Sequence, residues 1–281
     1  MSRRPFGVST HLYHGQRLAR EHLLEIAAHG FESVELFATR THFDYHSPTA
    51  VADLQQWLAD AGLELHSVHA PIAESFIAGR WGEPITLASP DPELRAYAVS
   101  EAEQALYVAR RIPTKVLVAH LGVPRSVTSP PGANSRDGAR RSVEHLQRLA
   151  GALQVGISVE VIANELSRVA SLVHFVEEDL ETPAGICLDF GHAHLDGNLL
   201  DAIETASGHL AAIHVNDNRG TSDDHLVPFE GTIDWPAAMT AIQKVGYDQT
   251  LVVEVAPHGT PKGTLARAKK ARQRLEGLLA Q

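Results

Sequence analysis

With one cysteine, Cys187, the 281-residue chain cannot form an internal disulfide, which excludes the disulfide-stapled secreted scaffolds and points to a reducing compartment. No apolar run approaches the roughly 18 residues of a membrane span. The opening Met1-Ser-Arg-Arg-Pro-Phe-Gly-Val8 lacks the apolar stretch of a secretory signal, so a soluble cytoplasmic protein is expected. Basic residues are in deficit: 24 Lys and Arg against 34 Asp and Glu give a formal charge of −10. That balance argues against nucleic acid as the main partner, because phosphate binding is driven by local Lys and Arg. The one basic cluster, Arg267–Arg274, falls on a late helical stretch and reads as a solvated outer face. Aromatic residues are scarce. Phe, Tyr and Trp number 8, 5 and 3, together fewer than the 17 histidines, which are scattered along the chain.

Short apolar runs alternate with longer amphipathic stretches from end to end. The predicted strands are Phe6–His11, Ser33–Phe37, Leu63–His69, Lys115–Leu121, Ile157–Asn164, Gly185–Phe190, Leu210–Asn216 and Thr250–Ala256. Between and after them lie predicted helices at 20–28, 49–61, 92–111, 137–153, 168–180, 199–207, 236–245 and 264–279. Ser47-Pro48 and Asp91-Pro92 are helix starts, and Gly30, Gly62, Gly156 and Gly246 follow helix ends. Strict alternation means parallel strands with crossover helices. A mean spacing of about 35 residues between strand ends suits a (β/α)₈ TIM barrel spanning residues 1–281. A doubly wound sheet is the alternative, but no glycine-rich nucleotide fingerprint follows the first strand.

Two strand-to-helix connections, Pro71–Pro90 and Gly122–Arg136, are longer than the fold needs. On a barrel such loops lie over the C-terminal face, where lids and binding segments are found. Phe76 and Trp81 in the first are expected either to close over a ligand or to anchor the loop.

Alternation along the strands carries the strongest signal, since successive side chains face opposite ways. In the later strands one face is aliphatic throughout: Ile157, Val159 and Val161; Ile186 and Leu188; Ala211, Ile213 and Val215; Leu251, Val253 and Val255. That face meets the helices. The other turns into the barrel and carries one ionisable residue near each C-terminal end: Glu160, Asp189, His214 and Glu254, with His69 and His120 on the third and fourth strands. His11 and Glu35, on the first two, point inward as well and are candidates for contacting substrate hydroxyls. Taken singly, an inward His or Glu is more often a hydrogen-bonded core residue. Six consecutive strands carrying that desolvation cost at one level point instead to metal ligation, because dications offset clustered negative charge. His192, in Asp189-Phe-Gly-His192, is expected just past the sixth strand in a turn eased by Gly191, and it joins the set with the Asp223/His225 pair after the seventh strand. Cys187, two residues before Asp189, is expected to be a small core residue below the site.

The segments Val68-His-Ala-Pro71, Val118-Ala-His-Leu-Gly122, Ser158-Val-Glu160, Cys187-Leu-Asp-Phe-Gly-His-Ala193, Ile213-His-Val-Asn-Asp217, Asp223-Asp-His-Leu226, Gly231-Thr-Ile-Asp234 and Val253-Glu254 resemble, in this order, the sugar phosphate isomerase/epimerase superfamily. That group shares its xylose isomerase-like barrel with endonuclease IV-type abasic-site nucleases. The resemblance implies that Glu160, Asp189, His214 and Glu254 are the metal quartet of the ketose epimerases. It also implies that His69, His120, Glu160, Asp189, His192, His214, Asp223, His225 and Glu254 match the fuller set that holds three zinc ions in the nucleases. Arg219 resembles a substrate-binding arginine of the epimerases.

Two activities follow as expectations. One is isomerisation or epimerisation of a small sugar, sugar phosphate or polyol through an enediolate, dependent on one to three divalent ions (Mn²⁺, Zn²⁺ or Mg²⁺), with Glu160 and Glu254 moving the proton. The other is zinc-dependent cleavage of DNA at abasic sites, which also needs a basic strand-tracking surface. The loops offer Arg40, Arg80, Arg125, Arg136 and Arg219 interspersed with Glu74, Glu83, Asp91 and Glu230, and charge placement therefore favours the first. A catalytically idle barrel that binds metal or sugar is a third expectation, since fold alone does not dictate chemistry.

Overall fold

A computed structural model describes residues 4–127 and 134–280. Pro130, Pro131 and Gly132 of the second long loop lie outside the described residues, as do Met1, Ser2 and Arg3. Eight strands close a parallel ring: β1 (Phe6–Ser9), β2 (Ser33–Phe37), β3 (Glu64–His69), β6 (Val116–His120), β7 (Gly156–Glu160), β8 (Gly185–Asp189), β9 (Leu210–Val215) and β10 (Leu251–Val253). The remaining pair, β4 (Phe76–Ile77) and β5 (Arg80–Trp81), forms a hairpin in the loop after β3. The crossover helices are α1 (Arg20–Ala28), α2 (Pro48–Ala61), α3 (Pro92–Leu106), α4 (Arg136–Leu153), α5 (Val169–His174), α7 (Leu199–Ala206) and α8 (Trp235–Lys244). A short α6 (Phe190–Leu195) precedes α7, and α9 (Pro261–Leu279) follows β10. No helix among the described residues is long and apolar enough to cross a membrane.

Helix starts follow the expected chemistry. Ser47 Oγ accepts from Ala50 N ahead of Pro48, and Asp91 Oδ1 accepts from Glu93 N and Leu94 N ahead of Pro92, each satisfying amide groups that a first turn leaves free. In α4 the buried residues Ala139, Val143, Leu146 and Ala150 recur at three- and four-residue intervals, which gives that helix one face to lay on the strands. The aliphatic strand faces and these helix faces make one large core between the layers, including Val159, Leu188, Ile213 and Val253. Inside the ring Val116, Val118, Cys187 and Ala212 form a separate small cluster, as the strand alternation requires.

Register sets the height of the site. β6 and β7 align His120 with Glu160, and β8 and β9 align Asp189 with His214, so four of the polar strand-end residues share the C-terminal rim.

The structure departs from the sequence reading at several points. The first strand ends at Ser9, because the Ser9 hydroxyl accepts from His11 N and turns residues Thr10–Tyr13 into a 3₁₀ helix. His192 sits in α6, not in a turn, because Asp189 Oδ1 caps that helix by accepting from His192 N at 2.7 Å. Gly191 is needed there for space: a Cβ would overlap Asn216 Oδ1. In the basic cluster, Arg272 is buried rather than solvated. It lies over the Phe31 ring and donates to the Gly30 carbonyl.

Candidate metal centre and cavity

Glu160, fully buried at the end of β7, is the hub of the site. His69 Nε2 lies 3.1 Å and His120 Nε2 3.3 Å from its Oε2, while His214 Nδ1 lies 3.3 Å from its Oε1. His214 Nδ1 is also 3.0 Å from Glu254 Oε2. From α6, His192 Nε2 lies 3.1 Å from Asp223 Oδ2, and His225 Nε2 is 3.3 Å from Asp223 Oδ1.

Four groups of potential ligands result among the described residues. In each of Glu160/Asp189/His214/Glu254, His69/His120/Glu160, His192/Asp223/His225 and Glu160/Cys187/His214, single ligand atoms all fall within 4.8 Å of one another. Neighbouring ligands of one ion, each at about 2.0–2.2 Å, stand roughly 3.0–3.5 Å apart, so these contacts have the spacing of coordination-sphere edges. The donor set of imidazole and carboxylate suits a divalent ion such as zinc or manganese. One atom makes the fit specific. The buried His192 Nδ1 has no hydrogen-bond partner, although Asp189 Oδ1 and Glu160 Oε1 lie 3.3 and 3.7 Å away. A buried polar atom facing two carboxylates without bonding either is positioned for a shared cation. Cys187 lies beneath, close to Glu160 and His214, and burial pushes its thiol pKa up.

The electrostatics point the same way. Burial alone depresses an imidazolium, yet the hydrogen bond and charge of Glu160 lift His69 to about 9. Asp189 and Asp223 likewise overcome burial and lift His192 to about 10. Burial opposes ionisation of Glu160, but His214 and His120 hold its carboxyl well below the usual range, and Glu254 is lowered against burial by His214. Asp189 goes the other way, raised by burial. His120 is lowered, since burial outweighs the pull of Glu160. Carboxylates held ionised are thus balanced by protons on the neighbouring imidazoles, a balance that a bound dication would otherwise supply.

The supporting contacts explain the geometry. His214 Nε2 is 3.0 Å from Glu35 Oε2, which also accepts from Ser67 Oγ at 2.8 Å. That pairing fixes the ring and turns Nδ1 toward Glu160 and Glu254. Asn216 Nδ2 donates to Asp189 Oδ2 at 2.5 Å. The loop carrying Asp223 and His225 is wound around the buried Asp217 carboxylate, which accepts from Asn218 N, Phe229 N, Ile233 N and Trp235 Nε1.

Above the cluster opens a cavity of about 370 Å³. His11 and Trp81, both sequence candidates for substrate contact, line it together with His69, His120, His192, Asp223, His225 and Glu254. Glu35 does not. It is fully buried behind His214 and hydrogen-bonded to that ring, out of reach of the cavity. Arg219 does not line it either: its side chain is 62% exposed and its guanidinium lies 4.0 Å from Asp224. Glu160 lies one layer deeper than expected, capped by His69 and His120. Sequence reasoning missed His14, which stacks between His11 (ring centroids 4.5 Å) and Trp81 (5.3 Å). It also passed over Asp217, for which the Asn216-Asp-Asn218 run after a strand was the available signal.

Comparison with known proteins agrees with this architecture. The chain is 31% identical over 224 residues to an uncharacterised protein of Sinorhizobium fredii, covering 70% of this chain and 68% of that one. It is 25% identical over 239 residues to the D-psicose 3-epimerase of Ruminiclostridium cellulolyticum, covering 82% and 75%. A crystal structure of a D-tagatose 3-epimerase-like protein superposes with a TM-score of 0.79 at 23% identity, over 98% of this chain and 97% of that one. The family profile described as xylose isomerase-like TIM barrel matches residues 23–280, and with the closed barrel and its polar rim this establishes that the chain belongs to that family.

Proposed function

We propose that the protein is a divalent-metal-dependent isomerase or epimerase of a small sugar or polyol. The observation that carries this reading is the convergence of Glu160 and Glu254 on the same His214 nitrogen, at 3.3 and 3.0 Å, beneath an open cavity. Glu160, Asp189, His214 and Glu254 would hold one ion, and His69/His120/Glu160 and His192/Asp223/His225 a second and third. Bound there, a divalent ion supplies Lewis-acid polarisation of the substrate's carbonyl and hydroxyl oxygens, which lowers the barrier to removing the adjacent carbon-bound proton.

The chain's own residues handle the proton. Glu254 lines the cavity and meets the substrate directly. Glu160, three strands away round the ring, connects to the cavity through His69 and His120, and when no ion occupies that second group the proton on that side travels by way of the imidazoles. Two acid/base groups on different sides suit inversion at carbon, which removes a proton from one face and returns it to the other. The curated epimerase relative fits this chemistry. Among the described residues no Lys or Arg lines the cavity, which disfavours the abasic-site nuclease, whose DNA backbone needs counter-charge.

The test is proton exchange in D₂O with metal content measured in the same samples. Glu254→Gln and Glu160→Gln should each cut turnover about 10²-fold or more, while the intact side still washes deuterium into the substrate carbon. Wild-type epimerisation by both variants with metal retained would remove the pair from the mechanism.

A further inference from the structure

The cavity has two kinds of lining, and the apolar one says what kind of molecule it takes. The histidine and carboxylate cluster forms its floor. Its apolar wall is made by Phe37, Ile72, Trp81, Pro84, Val123 and Val127. Trp81 is 42% and Val127 37% exposed, two large apolar side chains left open to solvent on the same cavity. Single exposed apolar residues are ordinary, but two facing one ligand space beside a polar floor form a binding surface. Trp81 is also held open rather than loosely placed. Its strand pairs with Phe76 in the hairpin, its ring packs 4.7 Å from Phe76, and it stacks at 12° on His14.

No Lys or Arg lines the cavity among the described residues, and the polar side chains that line it outside the candidate metal ligands are those of His11, His14, Ser126 and Asp224. A phosphate or carboxylate on the far end of a ligand would find no counter-charge there. The hydroxyls of an unsubstituted sugar chain would lose their water against Phe37, Ile72, Trp81 and Val127 without replacement hydrogen bonds.

We infer that the ligand is amphipathic: an uncharged molecule with a polyhydroxy or hydroxy-carbonyl head at the metal-ligating floor and an apolar substituent, such as an aryl or alkyl glycoside carries, against Trp81 and Val127. The head-group half rests on the function proposed above, whereas the tail half rests on the wall alone.

Dissociation constants for methyl β-D-glucopyranoside, phenyl β-D-glucopyranoside and glucose 6-phosphate, measured by ligand-observed NMR on the full chain with and without Mn²⁺, separate the two. The phenyl glucoside should bind at least about tenfold more tightly than the methyl glucoside. Trp81→Ala should cut that advantage to about twofold or less. Val127→Ser, which leaves the hairpin intact, should reduce it as well. Equal affinity for the two glucosides, or tightest binding of glucose 6-phosphate, overturns the inference. A phenyl preference that persists while Mn²⁺ changes neither constant upholds the apolar wall and removes the metal-bound head group.

Discussion

Asp217→Asn tests whether one buried carboxylate holds the loop that delivers Asp223 and His225. Asp217 has no solvent exposure and accepts four N–H groups: Asn218 N (2.9 Å) and Ile233 N (3.2 Å) on Oδ1, Phe229 N (2.9 Å) and Trp235 Nε1 (2.9 Å) on Oδ2. Only an acceptor-only group satisfies that set. Asparagine has one side-chain oxygen, so its NH₂ end must face two of the donors whichever way it is turned. Two buried donors left unsatisfied cost about 1–3 kcal/mol each, or roughly 2–6 kcal/mol in all. No space exists for relief by tighter folding, since a Cβ on the adjacent Gly231 would already overlap Asn218 O and Asp217 Oδ1. Urea denaturation should therefore show a loss within that range. Hydrogen exchange should rise across residues 217–235, and metal titration should show the His192/Asp223/His225 group failing before the Glu160 group. Asp234→Asn is the internal control. There the same change falls on a helix cap, Asp234 Oδ1 accepting from Ala237 N at 3.1 Å, where asparagine serves nearly as well. A loss below about 1 kcal/mol for Asp217→Asn, or equal losses in the two variants, would refute the reasoning.

Glu35→Gln removes the charge behind His214 while keeping the side chain's shape, and should weaken divalent-metal affinity about 10- to 100-fold, read by isothermal titration with Mn²⁺ or Zn²⁺; a change under about twofold counts against it. Acid should unfold the metal-free protein in a defined window. Burial lowers His42 and His66 to about 4, whereas in the unfolded chain both bind protons near 6.5. The unfolded state therefore binds more protons below 6.5, and the stability that these two contribute, about 3 kcal/mol each as a ceiling, is complete above pH 6.5 and drains away as pH falls through 4. His66→Leu should flatten the fall in the urea midpoint between pH 6.5 and 4, and an unchanged slope would exclude His66 as a contributor.

The barrel was legible because its strands carry a two-residue alternation and its helices their caps, and because aligned strand ends collect their polar residues at one rim. Alternation, however, reports a face and not a depth. Glu35 points inward as expected, but the irregular pairing between β2 and β3 at Val34/Glu35 and the Ser67 hydroxyl seat it behind His214. Glu160 points inward too, and the rings of His69 and His120 close over it. Depth depends on which neighbours are large, and these neighbours come from other strands, so no single segment encodes it.

Loops were harder for a second reason: the residues that shape them do two jobs at once. Asp189 reads as a metal ligand from its place at a strand end, yet its Oδ1 also caps α6, which is why His192 lies on a helix pointing Nδ1 back at Asp189 and Glu160. Asp217 reads as one more polar residue in a polar run. Its four donors come from residues 218–235, and closing the loop around it leaves Arg219 facing solvent instead of the cavity. The hairpin that fixes Trp81 is held by two-residue strands, too short for any alternation to show, and its turn at Ala78 and Gly79 uses positive φ at both positions. A local pattern is readable when one requirement fixes a residue. Where capping, ligation and loop closure fall on the same carboxylate, the strand-end position reveals the ligand and conceals the cap, and only the folded contacts separate the two.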